Sequence, residues 1–314
     1  MPHATFPRLD DDQIEGRLTP PEGPVELVVD TDCFNELDDQ FALAYAMLQP
    51  NLGVQAVYAA PFFHGRSTSP ADGMEKSYDE ILRVLDCLGR SGEGFAFRGA
   101  GRFMTRRDDA VASPAVADLI ARATAPRDGP LYVAALGAVT NVASAIVAAP
   151  DLVRRIVVVW VGGSPPYCQP SGDFNLRQDV PGAQFLFDSG VPLVRMPCFN
   201  VAEKLRTTIH EIQHYVGGRG RLGDYLVEVY RRVAKDRYAG SRVIWDLIVP
   251  AWLASPHWVP TELTPSPVLT DIIRWGDEDP RRHPSRIAVS ADRDEIFADM
   301  FRLFEQAAGG RAQA

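Results

Sequence analysis

Apolar and polar positions fall in alternating blocks along the first two thirds of the chain. Val25 to Val29 is apolar except for Glu26, and the run stops at Asp30. A helical stripe of Phe41, Ala44, Tyr45 and Leu48 follows, spaced to share one face, and Pro50 and Asn51 end it. The same pattern predicts strands over 25–32, 54–60, 95–98, 131–136, 156–161 and 192–196. Helices are expected between them over 73–88, 116–123 and 181–187, and from the Gly137–Asn141 turn to Pro150. Ile156 to Val161 is wholly apolar and rich in β-branched residues, as suits a strand buried on both faces. This alternation implies an α/β fold, a mostly parallel Rossmann-like sheet flanked by helices.

Beyond residue 200 the pattern changes. Helices are expected over 207–217, 223–238 and 245–254, the last opened by Asp246, with short strands near Val268 and Ile287 and a final amphipathic helix over 295–306. No internal repeat or flexible linker interrupts the chain. It divides into an N-terminal arm (1–23), one α/β domain with C-terminal helical and short-strand additions (24–308), and a tail (309–314) expected to be disordered.

The end of the first strand carries the chemistry. Asp30, Asp32, Glu36, Asp38 and Asp39 fall within ten residues, between an apolar strand and a helix. Ligands of α/β proteins bind outside the carboxyl ends of the strands. Carboxylates massed there repel one another unless a positive group sits between them, and a hard divalent cation with oxygen ligands is the simplest such group. The plainer alternative is that Asp38 and Asp39 favour a helix N-terminus and that Asp30 and Asp32 make loop hydrogen bonds.

Composition narrows the classes. The chain has 314 residues, 46% of them apolar and 23% charged, which is ordinary for a globular protein. Its net charge of −9 and the lack of a basic stripe argue against nucleic acid or an anionic membrane as partner. The four cysteines are widely spaced, which suggests neither a zinc site nor a disulfide framework. No apolar run is long enough to span a bilayer, and no signal core opens the chain, so the default expectation is a cytoplasmic location.

The acidic loop resembles the signature of the nucleoside hydrolases, the inosine–uridine-preferring, calcium-dependent N-glycosidases. Here it reads Asp30-Thr31-Asp32, then Cys33 to Leu37, then Asp38-Asp39; it is two residues longer than the usual form and lacks its Pro-Gly. Ala135 to Ala143, Val159 to Gly163, Asp173-Phe174-Asn175 with Asp179, and Ile244-Trp245-Asp246 resemble further family segments in the same order. The resemblance covers about residues 24–305.

The resemblance implies a nucleoside-hydrolase-like fold and a calcium ion held by Asp32, Asp39, the Leu136 carbonyl and Asp246. Calcium accepts about six to eight oxygen ligands, so sugar hydroxyls and a water would complete the shell. Asp32 would also be general base for that water. Asp38, Asp173 and Asn175 would hold sugar hydroxyls. An Asp at 173, where the family has Glu, shortens the side chain, so the sugar would sit differently or carry a different outer hydroxyl. Asn35 and Glu36, in the longer loop, either reach the sugar or cap the next helix. Asp246 would otherwise be an N-cap.

Three positions depart from the family pattern. Pro61 replaces a sugar-binding Asn, Tyr167 lies near where another Asn is expected, and Trp245 replaces a His that helps the leaving base depart. Trp245 either stacks on a base or packs in the core of its helix. His64 and Tyr78 are alternative proton donors at the pocket mouth. His210 and His214 share a helix face at metal-like spacing, but with no third ligand in view a solvated face is the expectation.

The implied activity is metal-dependent hydrolysis of the N-glycosidic bond of a nucleoside or related ribosyl compound, a small-molecule substrate, by a homodimer or homotetramer. An alternative is a divergent sugar- or nucleoside-binding protein that does not turn over ordinary nucleosides. An Asp-x-Asp phosphatase is disfavoured, because Phe34 stands where that loop needs Thr or Val.

Overall fold

The computed structural model describes residues 9–234 and 238–310. Its main sheet has eight strands. Six come from the alternating part: β1 (Val25–Thr31), β2 (Leu52–Ala59), β3 (Ala96–Arg98), β4 (Leu131–Ala135), β5 (Ile156–Val161) and β6 (Leu193–Met196). β7 (Arg206–Thr208) and β8 (Ser241–Val243) form a separate antiparallel pair, and β9 (Thr261–Pro265) and β10 (Pro284–Ala288) extend the main sheet. The order is β3-β2-β1-β4-β5-β6-β10-β9, parallel throughout except for β9 at the edge. The chain winds outward from β1 in both directions, so the crevice between β1 and β4 is the topological switch point where such sheets bind ligands.

Strand parity divides the core into two layers. Leu27 and Val29 of β1, Tyr132 and Ala134 of β4, and Val157, Val159 and Val161 of β5 pack on one face. Val28, Val133, Ala135, Ile156, Val158 and Trp160 pack on the other. Successive side chains of a strand point to opposite faces, so a parallel strand covered on both sides must be apolar nearly throughout. The same parity sets the polar ends of β1. Asp30 follows Val28 towards helix Thr140–Ala148, where Asn141 Nδ2 donates to its Oδ1 at 2.7 Å. Thr31 follows Val29 towards helix Asp38–Leu48, where it bonds Asp39.

Several sequence expectations need adjustment. The segment before β1 holds a helix, Asp11–Leu18, opened by an Asp10/Gln13 capping box. Its Ile14 and Leu18 are buried, and Arg286 Nε donates to the Leu18 carbonyl at 2.8 Å; residues 1–8 lie outside the described residues. The strand expected near Val268 lies earlier, as β9, and nearby Leu269 forms only an isolated bridge to Trp275. The helix expected over 207–217 opens instead with β7 and becomes helical over Ile209–Tyr215. That expected over 223–238 runs Gly220–Ala234, and residues 235–237 lie outside the described residues. The final helix, Arg293–Gly310, takes in the start of the expected tail; residues 311–314 lie outside the described residues. Among the described residues, no helix is long and apolar enough to cross a membrane.

Candidate active site

A cavity of about 570 Å³ opens at the carboxyl ends of the parallel strands. The residues expected from the sequence to hold metal or substrate line it: Asp32, Asn35, Glu36, Asp38, Asp39, His64, Leu136, Asp173, Asn175, Trp245 and Asp246. They come from the loops after β1, β2, β4 and β5 and from the segment after β8. The topology therefore gathers at one place residues more than two hundred positions apart.

The centre of the site is a group of buried carboxylates. Oxygens of Asp38, Asp39 and Asp246 lie within 4.8 Å of one another. Asp38 and Asp39 occupy the first turn of helix Asp38–Leu48, where backbone N–H groups favour negative charge. Leu37 is the N-cap and makes no side-chain cap bond, so neither Asn35 nor Glu36 caps this helix. Asp246 sits in a single turn of 3-10 helix, Trp245–Leu247, that precedes helix Ile248–Ala254. No side chain caps that turn, so capping does not account for a buried Asp246.

Asp32 stands beside this group, 2% exposed, with one carboxylate oxygen lacking any hydrogen-bond partner. Room for it is made by Gly137, where an added Cβ would lie 2.8 Å from Asp32 Oδ1. Burial, then repulsion from Asp39 and Asp38, pushes the Asp32 carboxyl well above its usual range. Burial and the neighbouring carboxylates raise Asp38 and Asp246 likewise. Asp39 is raised by burial to about 6, less than its neighbours because Thr31 and Asp246 hydrogen-bond to it. Burial and mutual repulsion thus make all four carboxyls hold their protons to higher pH than an ordinary carboxyl does. The donors of the cluster are all oxygens, a set that fits a hard divalent cation and not a thiolate- or imidazole-seeking one.

A second layer holds the loop in place. Gln40 Nε2 donates to the Cys33 carbonyl at 3.0 Å and to Glu80 Oε1 at 2.9 Å, and Tyr225 also bonds Glu80. Arg66 Nη1 donates to the carbonyls of Asn35 (3.0 Å) and Glu36 (3.3 Å), with its guanidinium 4.4 Å from the Phe34 ring centre. The longer loop is thus pinned so that Asn35 and Glu36 face the cavity.

The opposite wall comes from the segment after β5. Asp173 caps the short helix Phe174–Gln178, its Oδ1 accepting from Leu176 N at 2.9 Å, while Cys198 Sγ donates to its Oδ2 at 3.3 Å. Asn175 Nδ2 donates to the carbonyls of Leu136 (2.5 Å) and Val161 (2.9 Å), which leaves the Leu136 oxygen one lone pair for a further partner. His64 packs against Phe62 and edge-on to Phe174, and burial lowers its pKa. Trp245 is half-buried, so it both packs on the core and faces the cavity.

Some expectations are corrected. Tyr78 does not line the cavity; its ring carries the Arg98 guanidinium at 3.9 Å. Tyr167 is 72% exposed, and its hydroxyl accepts from Asn200 Nδ2. His210 and His214 are exposed, and among the described residues neither joins a candidate metal group. Conversely Cys198, Phe199, Arg177 and Gln178 line the cavity unannounced. The signal that points to Cys198 and Phe199 is position alone, since they directly follow β6 at the ligand-binding end of the sheet.

The fold is a doubly wound α/β sheet whose switch point carries a buried acidic cluster that could hold a metal ion. The family model described as inosine-uridine preferring nucleoside hydrolase matches residues 27–298, and the chain belongs to that family. The pyrimidine-specific ribonucleoside hydrolase RihA of Klebsiella pneumoniae is 26% identical over 272 residues, 78% of this chain and 81% of that protein. Its Escherichia coli counterpart is 25% identical over 274 residues, with the same coverage. Among solved structures, the purine-preferring ribonucleoside hydrolase of Gardnerella vaginalis superposes with a TM-score of 0.71 at 20% identity, covering 90% of this chain and 99% of that one. A plant nucleoside hydrolase gives 0.71 at 19% identity, with the same coverage.

Proposed function

We propose that the protein hydrolyses the N-glycosidic bond of a ribonucleoside or related ribosyl compound, with calcium as its resident cation. The observation that carries this reading is the buried group of Asp38, Asp39 and Asp246 with Asp32 and its unpartnered oxygen beside it, inside a cavity large enough for a small molecule. Asp32, Asp39 and Asp246 would hold the cation with the Leu136 carbonyl, and Asp38 is close enough to share that duty or to hold a sugar hydroxyl. A divalent cation there supplies charge neutralisation and makes a water easier to deprotonate at neutral pH.

The chain's own residues do the rest. Asp32 accepts a proton from the attacking water. The water oxygen bonds to C1′, the C1′–N bond breaks, and its electron pair leaves with the base, which then takes up one proton. Positive charge developing on the sugar faces the carboxylates. Asn35, Glu36 and Asn175 orient the sugar. His64, Phe174 and Trp245 supply aromatic surface suited to a flat base. The relatives' names split between pyrimidine-specific and purine-preferring, so the base is best found by assay.

The test is hydrolysis of a nucleoside panel with calcium, with chelator, and with Asp32→Ala. The expected result is turnover that needs both calcium and Asp32. Tight ribose binding without turnover would favour the binding-protein alternative, and turnover that survives both treatments would defeat the mechanism.

A further inference from the structure

Asp173 and Cys198 form the part of the cavity wall that the proposed chemistry does not use. Asp173 is buried, and each of its oxygens already accepts one hydrogen bond within the protein, one from Leu176 N and the other from the Cys198 thiol. Asn175 beside it has given its amide hydrogens to the Leu136 and Val161 carbonyls. The next lining residues are the rings of Phe174 and Phe199, 36% and 44% exposed towards the mouth. Arg177 on the rim is solvent-exposed and makes no ion pair among the described residues. This wall holds a carboxylate that is occupied and aromatic surface that is free.

A ribosyl group has three hydroxyls. The vicinal pair on C2′ and C3′ can meet one cation together; with those two at the carboxylate cluster, C5′ would be turned towards another part of the same cavity, which Asp173 lines. Sites reject a substrate lacking a hydroxyl by large factors only when its loss leaves a buried polar group unpaired. Here Asp173 is paired whether or not a hydroxyl arrives.

We propose that this wall adapts the site to ribosyl substrates whose C5′ carries no free hydroxyl, either 5′-deoxy or masked by an apolar substituent, and that Cys198 sets the preference by occupying Asp173. Cys198 acts as a positioning residue: its thiol donates to Oδ2 and holds that oxygen away from the sugar. This inference rests on the N-glycosidase reading for its substrate but not for its contacts.

The experiment compares kcat/KM for a ribonucleoside and its 5′-deoxy counterpart bearing the same base, in wild type, Cys198→Ala and Cys198→Ser, with calcium present. In wild type the hydroxylated substrate should be favoured by less than about tenfold, or disfavoured. Cys198→Ala frees Asp173 Oδ2 and should move the ratio about tenfold towards the hydroxylated substrate, the gain of one hydrogen bond to a carboxylate. Cys198→Ser keeps a donor and should leave the ratio near wild type. A wild-type preference above about tenfold for the hydroxylated substrate would overturn the proposal, and so would equal ratios in the Ala and wild-type enzymes. If neither nucleoside is cleaved, the hydrolase reading fails. The affinities of free ribose and 5-deoxyribose, measured by calorimetry with calcium, then test this wall by the same ratio and the same variants.

Discussion

Thr31 donates its hydroxyl hydrogen to Asp39 Oδ1, tying the last residue of β1 to the first turn of the following helix. One bond therefore fixes a cluster carboxylate relative to the sheet. Partners in a metal site's outer shell are typically worth 10- to 100-fold in affinity. Thr31→Val keeps the β-branched shape but removes the donor. Calcium affinity, read by calorimetry, should fall by at least about tenfold while the far-ultraviolet circular dichroism stays unchanged.

The acidic cluster makes stability depend on both pH and calcium. Asp39 is raised by burial to about 6, against an ordinary carboxyl near 3.9, and Asp32, Asp38 and Asp246 are raised too. A carboxyl whose folded pKa is raised binds its proton more tightly in the folded state. Its favourable contribution is present at low pH and is lost as pH rises from about 4 through about 6. A cation replaces those protons. Calcium should therefore raise Tm much more at pH 8 than at pH 5, and chelator should lower Tm at pH 8 with little effect at pH 5.

Asp30 behaves as scaffold. It is fully buried, raised to about 7 by burial, and held through Asn141. By the same sign its contribution declines between about pH 4 and about pH 7. Asp30→Asn keeps an oxygen for the Asn141 amide and removes the titration. The variant should show a flatter Tm–pH profile over that window and a higher Tm at pH 8.

Gly137 is small because Asp32 needs the space. An alanine there would push against Oδ1, with its Cβ 2.8 Å away if nothing moved. A displacement of about 1 Å can cost about 100-fold in rate. Gly137→Ala should therefore fold, with a kcat about 100-fold below wild type on the best nucleoside found.

Much of this was legible in the sequence where one physical demand acts alone. Ile156 to Val161 had to be a strand buried on both faces, and it is β5. The acidic run had to need a partner, and Asp38 and Asp39 lie buried against Asp246. The N-terminal helix was hidden because it buries little beyond Ile14 and Leu18, one turn apart in a polar segment. β9 was misplaced because it is a largely solvated edge strand, with no apolar alternation to mark it. Cys198 and Phe199 were missed because a turn after a strand carries no periodicity. Their importance arises from the register that aligns β6 with β5 and brings Cys198 to Asp173. Asp246 was found only through the family resemblance, since nothing local distinguishes it from a helix cap.

The buried carboxylates are proposed to form a cation site. It is tested most directly by a crystal structure grown with calcium. One strong peak is expected among Asp32, Asp38, Asp39 and Asp246, with only oxygen ligands, at about 2.3–2.6 Å. A structure grown with calcium in which no peak appears among these carboxylates would contradict it.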